Sequence, residues 1–167
     1  MRMPLSSRLL YTTVGVGLPV GAHLADYNAT HIFNPRWPPH AKFHGAHTLL
    51  TSIMLGGLTA FFAWRPTSDR RTLVLTTSAV ASTYFVTQGL AILYPGTAFF
   101  DPKFDTPDGY VAGLPAQVPI DVAFLAVTAL AAWLALRPNA RWADAPPRVV
   151  ASATADTVLR SPALERS

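Results

Sequence analysis

Four apolar windows dominate the chain, at about residues 9–25, 45–64, 72–94 and 120–136. A helix that crosses a bilayer needs about 20 mostly apolar residues. A chain made of such windows has few options. Its backbone polar groups must be satisfied within each helix, and the helices must then pack on one another. Only 13% of the residues are charged, where soluble domains carry about 25%. The expected fold is therefore all-α: an integral membrane four-helix bundle over residues 1–137, followed by a disordered tail over 138–167. The first window contains Gly15, Gly17, Pro19 and Gly21 and is the weakest. Its competing reading is a cleaved signal peptide, with Ala22-His23-Leu24-Ala25 near its end. Keeping it as a span gives an even number of crossings.

Basic residues give the expected orientation. Four spans put Arg2, Arg8, Arg65, Arg70, Arg71, Arg137, Arg141, Arg148, Arg160 and Arg166 on one side, and only Arg36, Lys42 and Lys103 on the other. Without the distal Arg148, Arg160 and Arg166 the bias is still seven to three. Both termini are then cytoplasmic, and the loops after the first and third spans face outward. Eleven of the thirteen basic residues are Arg, which fits a GC-rich bacterial source and hence a bacterial cytoplasmic membrane. The net charge of +4 is spread over short connections and termini, so nucleic acid is not an expected partner; the lipid bilayer is. With no cysteine, disulfides, thiolate ligands and thiol nucleophiles are excluded.

Polar residues gather toward the outer half. His23 and Asp26 end the first span, His44 and His47 begin the second, Gln88 lies near the end of the third, and Gln117 and Asp121 begin the fourth. The inner halves hold only Ser and Thr as polar residues. Titratable groups set against membrane-length segments are costly to keep there and mark functional sites. The bland account, that residues at span ends sit in water and headgroups, covers Asp105 and Asp108 beside Pro107 and Gly109. It covers Asp121, Gln88 and His47 less well.

All five histidines lie between His23 and His47. Pro38 and Pro39 suit the first turn of a helix. A helix starting there puts His40, His44 and His47 on one face at i, i+4 and i+7. That stripe could ligate Zn or a non-haem Fe ion with help from Asp26 or Asp121, although three residues over two turns span about 10 Å, too far for one ion unaided. The proton-transfer reading makes His44 and His47 the acid/base groups and Asp26 and Asp121 their carboxylate partners, with no cofactor. Arg36, Asn34, Gln88, Gln117 and His31 are then the candidate substrate contacts. For any single histidine, a hydrogen-bonded latch between helices is the leading reading; for five in one short segment it is weaker. The Tyr94–Pro102 stretch is a turn-rich aromatic loop that could cover the site.

The segments Asp26-Tyr27-Asn28-Ala29-Thr30-His31, Asn34-Pro35-Arg36-Trp37-Pro38-Pro39-His40 and Tyr94-Pro95-Gly96-Thr97 resemble a family of small four-span membrane proteins of unknown function from bacteria and fungi. The resemblance covers about residues 10–137. It implies architecture and no activity. In size and span number the chain is also similar to small membrane oxygenases and cyclases of polyketide and terpenoid pathways, and to small membrane sterol isomerases. None of their functional residues can be carried over. Two readings stay open. One is an enzyme using a His/Asp site in the outer leaflet half on a lipophilic small molecule, by isomerisation, cyclisation or oxygenation. The other is a non-catalytic membrane accessory, or a lipid- or metal-binding protein. A small-residue face, Gly56-Gly57 with Ser52, Thr59 and Ala60, suits close helix packing and would also suit a homo-oligomer.

Overall fold

The computed structural model describes residues 1–144. Four helices carry most of it: α1 (Leu5–Asp26), α2 (Pro39–Trp64), α3 (Arg70–Ala91) and α4 (Gln117–Leu136). Each packs on its neighbours in sequence, and α1 closes the ring on α4. The ends of α1 and α3 and the starts of α2 and α4 thus share one end of the bundle.

Local chemistry sets the helix limits. Pro39 takes the first turn of α2, where its missing N–H would have no intrahelical acceptor. Pro66 ends α2 by forcing Arg65 into extended backbone (ψ 135°). The Asp69 side chain accepts the Thr72 N–H at 3.0 Å and caps α3; these hydrogen bonds hold its exposed carboxyl below the ordinary aspartate range. α3 stops at Ala91, short of residue 94, because the Tyr94-Pro95-Gly96 turn follows and Gly96 adopts φ +79°. Pro119 falls in the first turn of α4, so that helix starts at Gln117 without losing a bond.

The long connection between α3 and α4 holds an element the sequence pattern did not signal. Strands β1 (Tyr110–Val111) and β2 (Leu114–Pro115) pair as a minimal hairpin. Its turn residues Ala112 and Gly113 both have positive φ, at 51° and 78°, as a two-residue turn matching the strand twist requires.

Small and hydroxylated residues build the interior. α2 buries Leu49, Ser52, Gly56, Thr59 and Ala63 along one stripe. α4 buries Asp121, Thr128, Ala131 and Ala135. α1 contributes Tyr11, Val14, Gly15 and Leu18, and the Tyr11 hydroxyl shares a hydrogen bond of 2.6 Å with Ser78 on α3. The tightest approach is between α1 and α2. Pro19 has no N–H to return to the Gly15 carbonyl, and that freed oxygen lies against the Cα of Gly56. A side chain at either glycine would overlap the opposing backbone.

Two of the four helices, α2 and α4, are long and apolar enough to cross a membrane, with mean hydropathies of 1.4 and 2.0. α1 and α3 were expected to qualify as well and fall short, diluted by Gly, Pro, Ser and Thr on their packing faces. The tail was expected from residue 138, yet residues 142 and 143 pack back on the bundle. Trp142 Nε1 donates to the Ala135 carbonyl at 2.9 Å, and Ala143 pairs with Arg2 in an antiparallel bridge. The remainder of that expectation lies outside the described residues.

The glycine contact makes a contrast testable. Gly56→Ala must push α1 and α2 apart and should lower stability by about 1–3 kcal/mol. Gly57→Ala, whose added methyl meets nothing within 4 Å, should be neutral or stabilising by up to about 1 kcal/mol. Thermal unfolding of the two variants in detergent checks the pair.

Candidate functional site

The end of the bundle where α1 and α3 finish encloses a cavity of about 510 Å³. Its walls come from the end of α1 (Ala25, Asp26), the α1–α2 loop (Thr30, His31, Trp37), the end of α3 (Gln88, Ala91, Ile92), the loop after it (Thr97 to Asp101, Phe104) and Gln117 of α4. Each of the three sequence segments that carry the resemblance supplies part of this wall.

The first segment works as a hydrogen-bond relay. The Asn28 amide nitrogen donates to the carbonyls of Leu24 (3.3 Å) and Ala25 (2.7 Å), which the end of α1 leaves without helical donors. Its carbonyl oxygen therefore faces the other way and accepts both the Thr30 N–H (2.8 Å) and the Thr30 hydroxyl (2.6 Å). A hydroxyl has one proton to give. Having donated it to Asn28, Thr30 Oγ1 accepts from His31 Nδ1 at 2.7 Å. That assigns the Nδ1 proton and leaves Nε2 as the active nitrogen. Nε2 faces Asp26 Oδ1 at 3.7 Å, an ion pair once His31 is protonated and Nε2 can donate to the carboxylate. The edge of the His31 ring meets Trp37, with centroids 5.1 Å apart.

The other two segments brace this arrangement. Asn34 is buried. Its amide donates to the Thr30 carbonyl (3.1 Å) and its oxygen accepts the Arg36 N–H (3.0 Å), which ties the loop to itself. Trp37 reaches α2 at Gly45, where a side chain would crowd its ring. Across the cavity, the Thr97 hydroxyl lies 3.0 Å from the Ala91 carbonyl and 2.8 Å from that of Tyr94, so the turn at Gly96 caps α3. Gln117 Nε2 donates to the Phe99 carbonyl at 3.4 Å and holds the aromatic loop as a wall.

Of the residues expected from sequence, Asp26, His31, Gln88 and Gln117 line the cavity together. Asp121 sits one turn beyond Gln117 on α4, buried at 7% exposure beside Gly89 of α3. Asn34 shapes the loop and Arg36 is exposed; neither lines the cavity. The largest correction concerns the histidine stripe. His40, His44 and His47 are all exposed. His40 and His44 bond each other through their Nε2 atoms at 3.1 Å, and neither His44 nor His47 is in ion-pair range of Asp26 or Asp121. The reason is the small-residue stripe of α2. Gly45, Leu49, Ser52 and Gly56 turn inward, which directs the histidines away from the bundle. The expected metal ligand set is corrected with it: among the described residues no three His, Cys, Asp or Glu side chains are placed to hold a metal ion.

Thr30, Trp37 and Phe104 were missed as wall residues. A signal existed for Thr30. Short polar side chains at i and i+2 after a helix end bond local backbone by habit, so Asn28 and Thr30 point to an ordered turn with His31 at its exit.

The relay predicts a specific sensitivity. Thr30→Val keeps the side-chain shape but leaves His31 Nδ1 and Asn28 Oδ1 short of a partner, and should cost about 1–3 kcal/mol. Thr30→Ser should restore most of this. Chemical denaturation of both variants measures the difference.

Residues 11–132 match the model of a family of unknown function (DUF6640). No curated protein and no solved structure matches the chain. The matched region takes in every residue of the cavity wall and stops short of the C-terminal segment that folds back on Arg2. The match spans most of the chain, and the protein belongs to this family of unknown function.

Proposed function

We propose that the protein is a four-span membrane enzyme in which His31 and Asp26 move a proton on a lipophilic small molecule bound in the end cavity. The observation that carries this is the relay from Asn28 through Thr30 to His31, which fixes one tautomer and aims Nε2 at Asp26. A histidine oriented in this way beside a carboxylate is suited to take up and return a proton. Isomerisation and cyclisation both need that step. This assignment replaces His44 and His47 with His31 as the acid/base group and keeps Asp26 as its partner.

Four spans, not two, are supported by the outward faces. α1 exposes Leu9, Val16, Val20 and Leu24, the last at 78%, and α3 exposes Leu75, Val86 and Leu90. Large aliphatic groups outside, with Gly, Ala, Ser and Thr sharing the interior with Tyr11, Val14, Leu18 and Phe85, fits helices packed in lipid. At the far end of the bundle Arg8 lies 4.6 Å from the Trp64 ring centre and Arg137 lies 5.5 Å from that of Trp133. That basic and aromatic collar suits a cytoplasmic interface and puts the cavity on the outer side of a bacterial cytoplasmic membrane.

The absence of cysteine makes topology simple to test. In intact spheroplasts, Asp108→Cys should react with an impermeant maleimide and Ser68→Cys should react only after permeabilisation. Reversed labelling overturns the orientation, and extraction by alkaline carbonate overturns the spanning reading.

One observation favours a non-catalytic role. Asn28 caps the end of α1, so the relay also stabilises the fold. Deuterium separates the two readings. Protein in nanodiscs, incubated in D₂O with a lipid extract of its host membrane, should place deuterium on a carbon of a lipophilic metabolite. His31→Asn, whose amide nitrogen can replace Nδ1 as the donor to Thr30, and Asp26→Asn should abolish labelling with little change in melting temperature. No labelling by the unaltered protein, with both variants lowered in melting temperature, would leave the structural role.

A further inference from the structure

We propose that the cavity takes the ammonium head of a single-chain alkylamine; the site is the one assigned above, so this specifies the ligand class of that reading. The walls carry two carboxylates, Asp26 and Asp101, and among the described residues no Lys or Arg. Gln117 has committed its amide nitrogen to Phe99, which leaves Oε1 buried and without a donor. Buried acceptors without donors are costly and call for a ligand that supplies N–H or O–H groups.

The apolar part of the wall points to a cation among such ligands. Trp37, Phe99, Phe100 and Phe104 contribute aromatic rings, whose faces attract ammonium groups. The volume of about 510 Å³ suits a small head and a few methylenes. Beside the wall residues Ala91 and Ile92, the exposed Leu90 and Leu93 form an apolar exit along which an alkyl tail reaches lipid. A phospholipid headgroup fits poorly, since the wall holds two carboxylates and no Lys or Arg to balance its phosphate. Arg36, expected to contact an anion, is not part of the wall.

The test is calorimetric titration of the full-length protein in phosphatidylcholine nanodiscs, against empty discs, with octylamine, 1-octanol and octanoate at neutral pH. Octylamine should bind saturably and at least ten-fold tighter than the other two. Asp101→Asn should weaken octylamine at least ten-fold while leaving the melting temperature unchanged, since the carboxylate is exposed and makes no hydrogen bond or ion pair among the described residues. Equal binding of octanol or octanoate, no saturable binding of octylamine, or an indifferent Asp101→Asn overturns the proposal. Asp101 lies outside the His31–Asp26 pair, so the two readings fail separately. Amine binding without deuterium transfer removes only the enzyme, and deuterium transfer without amine preference removes only the ligand class.

Discussion

The contact between Gly15 and Gly56 governs the rest of the bundle. Pro19 frees the Gly15 carbonyl, and the absence of a side chain at Gly56 lets α2 come up against it. Contact this close is available only to residues without bulk, and it aligns the inner stripes of both helices. The rotation of α2 follows. With Gly45, Leu49, Ser52, Gly56, Thr59 and Ala63 facing inward, the exposed stripe is His40, His44 and His47. The packing of small residues, not the chemistry of imidazoles, decides which histidine can belong to a site.

The same contact brings the end of α1 to the start of α2 and leaves the intervening loop to satisfy its own polar groups. It does so through side chains. Asn28 caps α1, Thr30 links Asn28 to His31, and Asn34 links Thr30 to Arg36. Little freedom remains for the His31 ring, bonded at Nδ1 and set edge-on against Trp37. Positioning a proton-transfer group requires this kind of support from neighbours that do no chemistry. On the far wall, Thr97 and Gln117 serve the aromatic loop in the same way.

Much of the site was legible in advance because its residues are costly where they stand. Asp26, Gln88 and Gln117 are polar groups at the ends of apolar helices, His31 lies in the loop that follows α1, and all four line one cavity. The roles within that set were harder to read. His31 ranked below His44 and His47 because helical spacing makes a stripe visible while a turn hides a relay. Phe104 went unplaced because nothing local tells a loop which way to fold. The minimal hairpin at Ala112-Gly113 is too short to leave an alternating pattern.

By itself the sequence determined the helical class, the four long helices and the end of the bundle where polar groups collect. Those follow from apolar run length, from Pro and Asp at helix starts, and from the cost of polar groups in apolar segments, all of which act over a few residues. The tertiary structure alone decided which face of each helix turns inward, that His31 and not the α2 stripe meets Asp26, and that the loop after α3 closes the cavity. Those outcomes depend on contacts between residues distant in the chain. They are settled by how closely backbones can approach, as at Gly15 and Gly56, and spacing along one helix cannot reveal that.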